Sequence, residues 1–169
     1  SFCVNEQFYN VDPKKLMPHV KNTIERGKKV MASDYAKALA QLSEYRFKMD
    51  KIFSNFDYIL SPTVAIPPHK CNERPNIING KIDISTIDDK EMFEENDYDY
   101  SSWIFVLAQF TAPFNWSGNP AVSLPCGFTK SGLPIGLQLA GKKRGELSLI
   151  QASKAFEEIK PWQQNRPRI

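Results

Sequence analysis

The sequence is poor in the residues that most often carry chemistry. It has only two histidines, His19 and His69, in 169 residues. They stand apart, with no HExxH and no carboxylate at metal-ligand spacing, so no metal site is expected. None of the eight glycines falls in a GxGxxG or in a phosphate-cradling loop followed by Lys-Ser or Lys-Thr, and no cofactor is expected either. The three cysteines, Cys3, Cys71 and Cys126, are odd in number and lack CxxC spacing, which argues against a disulfide framework. Reduced, mostly buried thiols and a cytoplasmic setting are the expectation. No apolar run reaches the roughly 18 residues of a membrane-spanning helix. A net charge of +3 is small, and its basic residues (Lys28-Lys29, Lys142-Lys143-Arg144) sit among acids. A nucleic-acid reader would show a denser basic face, so no nucleic-acid partner is expected. There is no Gly-x-Ser-x-Gly elbow, and no histidine lies near a plausible serine or cysteine nucleophile in the chain. Internal repeats are absent too.

What is present is the pattern of an ordinary folded domain, long enough to bury a core. Residues 1–11 are aromatic and irregular. They show neither an initiator Met nor a signal-peptide pattern, and read as an internal stretch of something longer. Asp12-Pro13 is a helix-start signal and predicts a helix over about 13–29. Ser33 is the expected N-cap of a second helix, with Asp34 in its first turn. Along it Tyr35, Leu39, Leu42, Tyr45, Met49, Ile52 and Phe53 recur every three or four residues. That spacing predicts one apolar stripe packed on the core. Phe56–Ser61 reads as a strand stopped by Pro62. Residues 61–100 read as a long surface excursion, with a small hairpin of Ile77-Ile78 and Ile82/Ile84 around Asn79-Gly80 and an acidic run from Asp88 to Asp99. Trp103–Ala108 begins a buried helix ending before Pro113. Asn115–Pro120 is turn-rich and reads as a loop. Ala121–Pro125 and Leu133–Ala140, joined by a short turn at Lys130-Ser131-Gly132, should pair as an antiparallel hairpin. A last helix opens at Glu146, with Leu149, Ile150, Ser153 and Phe156 on its inner face, and Pro161 ends it.

Cys126 is the one residue that could be taken for a nucleophile, since Pro125-Cys126-Gly127 sits at a strand end. A reactive thiol needs a nearby cation or helix N-terminus to lower its pKa. The local sequence supplies neither, so Cys126 reads as a small packed residue.

One stretch is more distinctive than the rest. Phe110-Thr111-Ala112-Pro113-Phe114-Asn115-Trp116-Ser117-Gly118-Asn119-Pro120-Ala121-Val122-Ser123-Leu124-Pro125-Cys126-Gly127-Phe128, followed by Gly132-Leu133-Pro134-Ile135-Gly136-Leu137-Gln138-Leu139, resembles the C-terminal portion of amidase-signature enzymes. Those read FT.P.N..G.PA.S.PCGF and then GLP.GLQ, in this order. Asp34-Tyr35 to Arg46, then Phe56–Thr63, resembles the family's helix followed by FD.LL.PT. Ala155-Phe156-Glu157 to Pro161-Trp162 and Arg166-Pro167 is similar to its ending. The resemblance covers most of residues 30–169 and little of 64–100.

The resemblance implies an α/β chain, the C-terminal part of the amidase-signature fold, with a mixed β-sheet flanked by α-helices. Residues 1–169 would be part of a single amidase domain: 1–56 helical, 57–100 a strand plus the surface excursion, 101–169 a helix, hairpin, helix and tail. It also implies hydrolysis of a carboxamide by a Lys–Ser–Ser triad, through an activated serine and oxyanion donors. The family carries that triad in its N-terminal half, together with a Gly/Ser-rich signature, and no such run occurs here. No catalytic residue is therefore assigned in this chain, and the isolated chain is expected to be inactive. The implied partners are the N-terminal half bearing the triad and a small-molecule amide, with homodimerisation the other way to cover exposed apolar surface. The family's C-terminal region closes one side of the acyl cleft. Here Phe114 and Trp116 are candidates for an apolar wall, and Asn115 for orienting an amide. The family's glutamine-amidating transfer-RNA member holds the substrate amino group with an acidic residue. Its position corresponds to Ala108 here, which favours an aryl or aliphatic amide. The competing readings are a non-catalytic interaction module on the same scaffold, and a self-sufficient enzyme using Cys126.

Overall fold

The computed structural model describes residue 16 and residues 18–69, 73–78, 81–86 and 107–165. The expected irregular start, the Asp12-Pro13 cap, the acidic run 88–99 and Trp103–Val106 lie outside the described residues. Helix α1 spans Pro18–Lys28 and α2 spans Ala32–Asn55. Strands β1 (Tyr58–Pro62), β2 (Glu73–Ile78) and β3 (Lys81–Thr86) follow. Then come α3 (Ala112–Ser117), β4 (Ala121–Phe128), β5 (Pro134–Gly141) and α4 (Glu146–Ile159).

The centre of the chain is a three-stranded sheet in the order β1-β5-β4. Both pairings are antiparallel, with Leu60 opposite Leu139 and Val122 opposite Leu139 from the other side. β1 ends at Pro62, and Pro62 itself still pairs, opposite Leu137. It can do so because β1 is an edge strand, where a missing N–H leaves no ladder bond unmade. The β4–β5 hairpin is longer than the sequence suggests and has an irregularity between Pro125 and Gly127, which leaves Cys126 out of register. β2 and β3 form a separate antiparallel pair with Ile78 opposite Lys81, and the turn expected at Asn79-Gly80 lies outside the described residues.

Four features differ from expectation. Leu16 lies in a bend, so the helix expected over about 13–29 does not run unbroken, and α1 opens at Pro18. Proline suits a first helical position and disfavours helix in the residue before it. α2 opens on Met31, whose backbone is extended and whose carbonyl accepts from Asp34 and Tyr35; Ser33 lies inside the first turn and does not cap. The first part of the loop expected over Asn115–Pro120 is instead the end of the short helix α3, which opens at Ala112. Pro113 fits its first turn, and Gly118, at φ 79°, ends it by donating its N–H to the Phe114 carbonyl at 2.9 Å. In α4, Leu149, Ser153 and Phe156 face inward, but Ile150 is exposed. One residue of helix turns a side chain by about 100°, enough to carry Ile150 off that face.

The core joins α2, α3 and β5. Met49, Phe53, Phe114 and Ala140 are buried together, with Tyr45 and Ile59 packed against them. Leu149 brings α4 onto the end of β5: a Cβ placed on Gly141 would lie 3.7 Å from its Cδ1. The apolar stripe of α2 is only partly used. Met49 and Phe53 are buried, while Tyr35, Leu39 and Ile52 are exposed. Among the described residues no helix is long and apolar enough to cross a membrane.

Candidate functional site

The stretch that carries the distinctive motif folds as one connected unit. Residues 107–117 run as a helical turn, a break and then α3. The break follows from Pro113, which cannot donate the backbone bond that would continue a helix through it. Side chains from elsewhere hold this segment by its carbonyls. Gln138 Nε2 donates to the Phe110 carbonyl at 2.8 Å, Tyr45 Oη to the Pro113 carbonyl at 3.2 Å, and Arg46 Nε to the Trp116 carbonyl at 3.0 Å.

The three residues expected at a substrate wall take different positions. Phe114 is buried in the core against Met49, Phe53 and Ala140. Asn115 is exposed. Trp116 is 57% exposed and meets Tyr45 edge-on, with ring centroids 6.3 Å apart. Burial raises the Tyr45 phenol above its ordinary pKa. Trp116, Tyr45, Leu42 and Ala38 line an open groove of about 640 Å³ along α2, rimmed by Glu44 and Lys48. Those two pair at 2.7 Å, and the Lys48 ammonium lowers the Glu44 carboxyl pKa.

A second cavity, about 500 Å³, lies at the other end of the sheet. Its walls come from Val64–His69 after β1, from Leu107, and from Pro134–Gly136 at the start of β5. That size is within the range of small-ligand sites. Apart from His69, the side chains around it are aliphatic or proline. The sequence points to none of these residues as a wall, because 64–69 is a proline-rich connection with no periodicity. Pro62, Pro67 and Pro68 are the one signal that the segment would be held extended.

Gly136 is part of this wall and has no room for a side chain. A Cβ there would meet Thr63 Oγ1 at 2.7 Å and Ser123 Oγ at 2.9 Å. The two hydroxyls, from opposite sides of β5, hydrogen-bond to each other across it at 2.6 Å. Thr63 N–H also donates to the Gly136 carbonyl at 2.9 Å. This bridge ties the end of β1 to β4 and explains why a glycine is needed at that point.

The remaining polar groups of the motif serve the fold. Asn119 Nδ2 donates to the Gly141 carbonyl at 2.8 Å, and Gly141 N–H to the Pro120 carbonyl at 2.9 Å. These bonds fasten the exit from α3 to the end of β5. Cys126 is half-buried, and its thiol donates to the Ile135 carbonyl at 3.5 Å. Lys142 pairs with Asp57 and Lys143 with Asp50, each at 2.9 Å, on the far side of the sheet. Among the described residues no group of three His, Cys, Asp or Glu side chains could hold a metal.

Comparison with known proteins agrees with the motif. The family model described as Amidase matches residues 3–150. A glutamyl-tRNA(Gln) amidotransferase chain from Thermodesulfovibrio yellowstonii is 32% identical over 135 residues, covering 80% of this chain and 23% of that protein. The crystal structure of a bacterial aryl acylamidase of the amidase-signature family superposes with a TM-score of 0.64 at 28% identity, covering 86% of this chain and 28% of that one. A 6-aminohexanoate cyclic dimer hydrolase superposes with a TM-score of 0.64 at 27% identity, over 86% and 28%. The chain thus spans about a quarter of the length of these relatives. Its motif, its sheet and a family match over most of its residues agree: the chain belongs to the amidase family.

Proposed function

We propose that this chain is a segment of an amide hydrolase that cleaves carboxamide C–N bonds to acid plus amine or ammonia. Its role is to build the scaffold and one side of the substrate cleft. The attacking serine, its serine relay and the lysine base belong to the family's N-terminal half, whose Gly/Ser-rich signature this sequence does not contain. They would be supplied by the N-terminal portion of the enzyme. The observation that carries the reading is the unit formed by residues 107–141. There the family motif, the tie from Gln138 to Phe110 and the bridge across Gly136 meet beside an apolar cavity.

The wall of that cavity supports a neutral, apolar substituent on the amide, aryl or aliphatic. Ala108 brings no charge to the turn that supplies Leu107. Asn115 and Trp116 are offered as a second contact surface, with Phe114 packing behind them. The acyl-transfer chemistry itself needs an activated hydroxyl and oxyanion donors from the N-terminal portion.

The test is amide hydrolysis by this chain alone and by the chain joined to an N-terminal amidase portion. Turnover of an aryl or aliphatic amide is expected only from the joined protein, and replacing the signature serine should abolish it. Equal turnover by the isolated chain would show that the nucleophile lies within these 169 residues and overturn the reading.

A further inference from the structure

Three bonds that hold residues 107–117 from other elements fall on carbonyls 110, 113 and 116, one every third residue. They come from two elements. α2 supplies Tyr45 and Arg46, and β5 supplies Gln138. The α2 pair holds the α3 end, away from the cavity. Gln138 holds the end that bears Leu107, the residue by which this segment joins the cavity wall.

Gln138 is placed to do this and little else. It is 3% exposed, in the central strand of the sheet, opposite Ser61 on one side and Ser123 on the other. Its amide nitrogen has two hydrogens, and both are used: one on Ser61 Oγ at 2.9 Å and one on the Phe110 carbonyl at 2.8 Å. The first bond fixes the side chain against β1, and the second carries it off the sheet to the turn. Burying an amide is costly unless it is paired, so a glutamine here points to a specific contact rather than filling. Leu107 lies three residues before the carbonyl it holds, about one helical turn away.

We propose that Gln138 is a positioning residue for the cavity. By holding the Phe110 carbonyl it sets how far Leu107 stands from Pro134–Gly136, and so which apolar amide substituents fit. This rests on the amide-hydrolase reading above, and the experiment has an arm that does not.

In that arm, hydrogen exchange is followed by mass spectrometry on this chain and on Gln138→Met. The substitution keeps the volume and removes both donors. Amides of 107–111 are expected to exchange about tenfold faster, with β4 and β5 unchanged. Unchanged exchange at 107–111, or equal acceleration everywhere, overturns the positioning role. In the second arm, the joined enzyme is assayed on a bulky aryl amide and on a short aliphatic amide. Gln138→Met should change the ratio of their kcat/KM values about tenfold, mainly through KM. Ser61→Ala, which leaves the Phe110 bond in place, should keep the ratio within twofold. A kcat loss equal for both substrates overturns the proposal. If Gln138→Met does not fold, Leu107→Ala carries the test, because an unchanged ratio there shows that this wall does not select substrate. A joined enzyme that hydrolyses no amide refutes the functional reading, while hydrogen exchange still decides whether Gln138 positions the turn.

Discussion

The two halves of α2 carry one apolar stripe in two environments. In the C-terminal half, Met49 and Phe53 are 7% and 4% exposed, and Tyr45 reaches across to α3. In the N-terminal half, Tyr35 and Leu39 continue the stripe at 63% and 46% exposure, with Met31 before them at 65%. The 24-residue helix is about 36 Å long, and the three-stranded sheet and α3 cover only its far end. The periodicity is the same throughout, so it reports which side of the helix is apolar. It does not report whether anything lies against that side. Relatives of which this chain spans about a quarter have ample further chain to cover the remaining turns.

The comparison predicts its largest effect at the buried end. Phe53→Ala should cost about 3–5 kcal/mol, from lost burial and the cavity it leaves among Met49, Phe114 and Ala140. Urea denaturation of the isolated chain measures it. A loss below about 1 kcal/mol would mean that this end is no better packed than the exposed one.

Next comes Gly136→Ala, at the other close-packed point of the sheet. The new methyl must displace Thr63 Oγ1 or Ser123 Oγ, at an expected cost of about 1–3 kcal/mol. Adding Thr63→Ala and Ser123→Ala should return most of it, since the two nearest atoms are then gone and only Thr63 Cβ, at 3.1 Å, remains close. A triple variant as unstable as the single one would show that the strain lies in the backbone instead.

At the open end, Leu39→Ser should change the stability of the isolated chain by about 0.5 kcal/mol or less. A loss of more than about 1 kcal/mol that grows with protein concentration would reveal a covering copy of the chain. The homodimer reading would then replace the picture of an open face. In the joined enzyme the same substitution should cost more than in the isolated chain, because the N-terminal portion is proposed to cover these turns.

Much of this architecture was legible in the sequence because it is local. The strands around Lys130–Gly132, the pairing of 73–78 with 81–86 and the start of α4 at Glu146 all follow from neighbouring residues. The misreading at α3 arose because turn-rich composition does not separate a loop from a short helix. Pro113 and Gly118 mark the two ends of α3, and between them Phe114 is drawn into a core built from residues 49, 53 and 140. The cavity was illegible for a related reason. Its walls, 64–69, 107 and 134–136, come together only through the pairing of β1 with β5 and the tie from Gln138 to Phe110. The bridge across Gly136 is equally non-local, joining residues 63 and 123 over a strand that neither belongs to.

The subtlest readout, a change in pH dependence, sits where the two halves of α2 meet. Tyr45 is desolvated against Trp116 and donates to the Pro113 carbonyl, and burial raises its phenol above the ordinary value. A raised acid pKa in the folded state means that the folded chain holds this proton more tightly than the unfolded one. The associated stability is fully present below the ordinary tyrosine pKa, about 10, and is lost as pH rises through the folded value. Stability should therefore be indifferent to Tyr45 ionisation at neutral pH and decline above pH about 10. Tyr45→Phe should shift the whole curve by the lost hydrogen bond, about 0.5–1.5 kcal/mol, and should flatten that alkaline decline. The flattening is the informative part. If the decline keeps its shape in Tyr45→Phe, the phenol is as well solvated as the residues of the exposed half. The boundary between covered and uncovered helix would then lie nearer Met49.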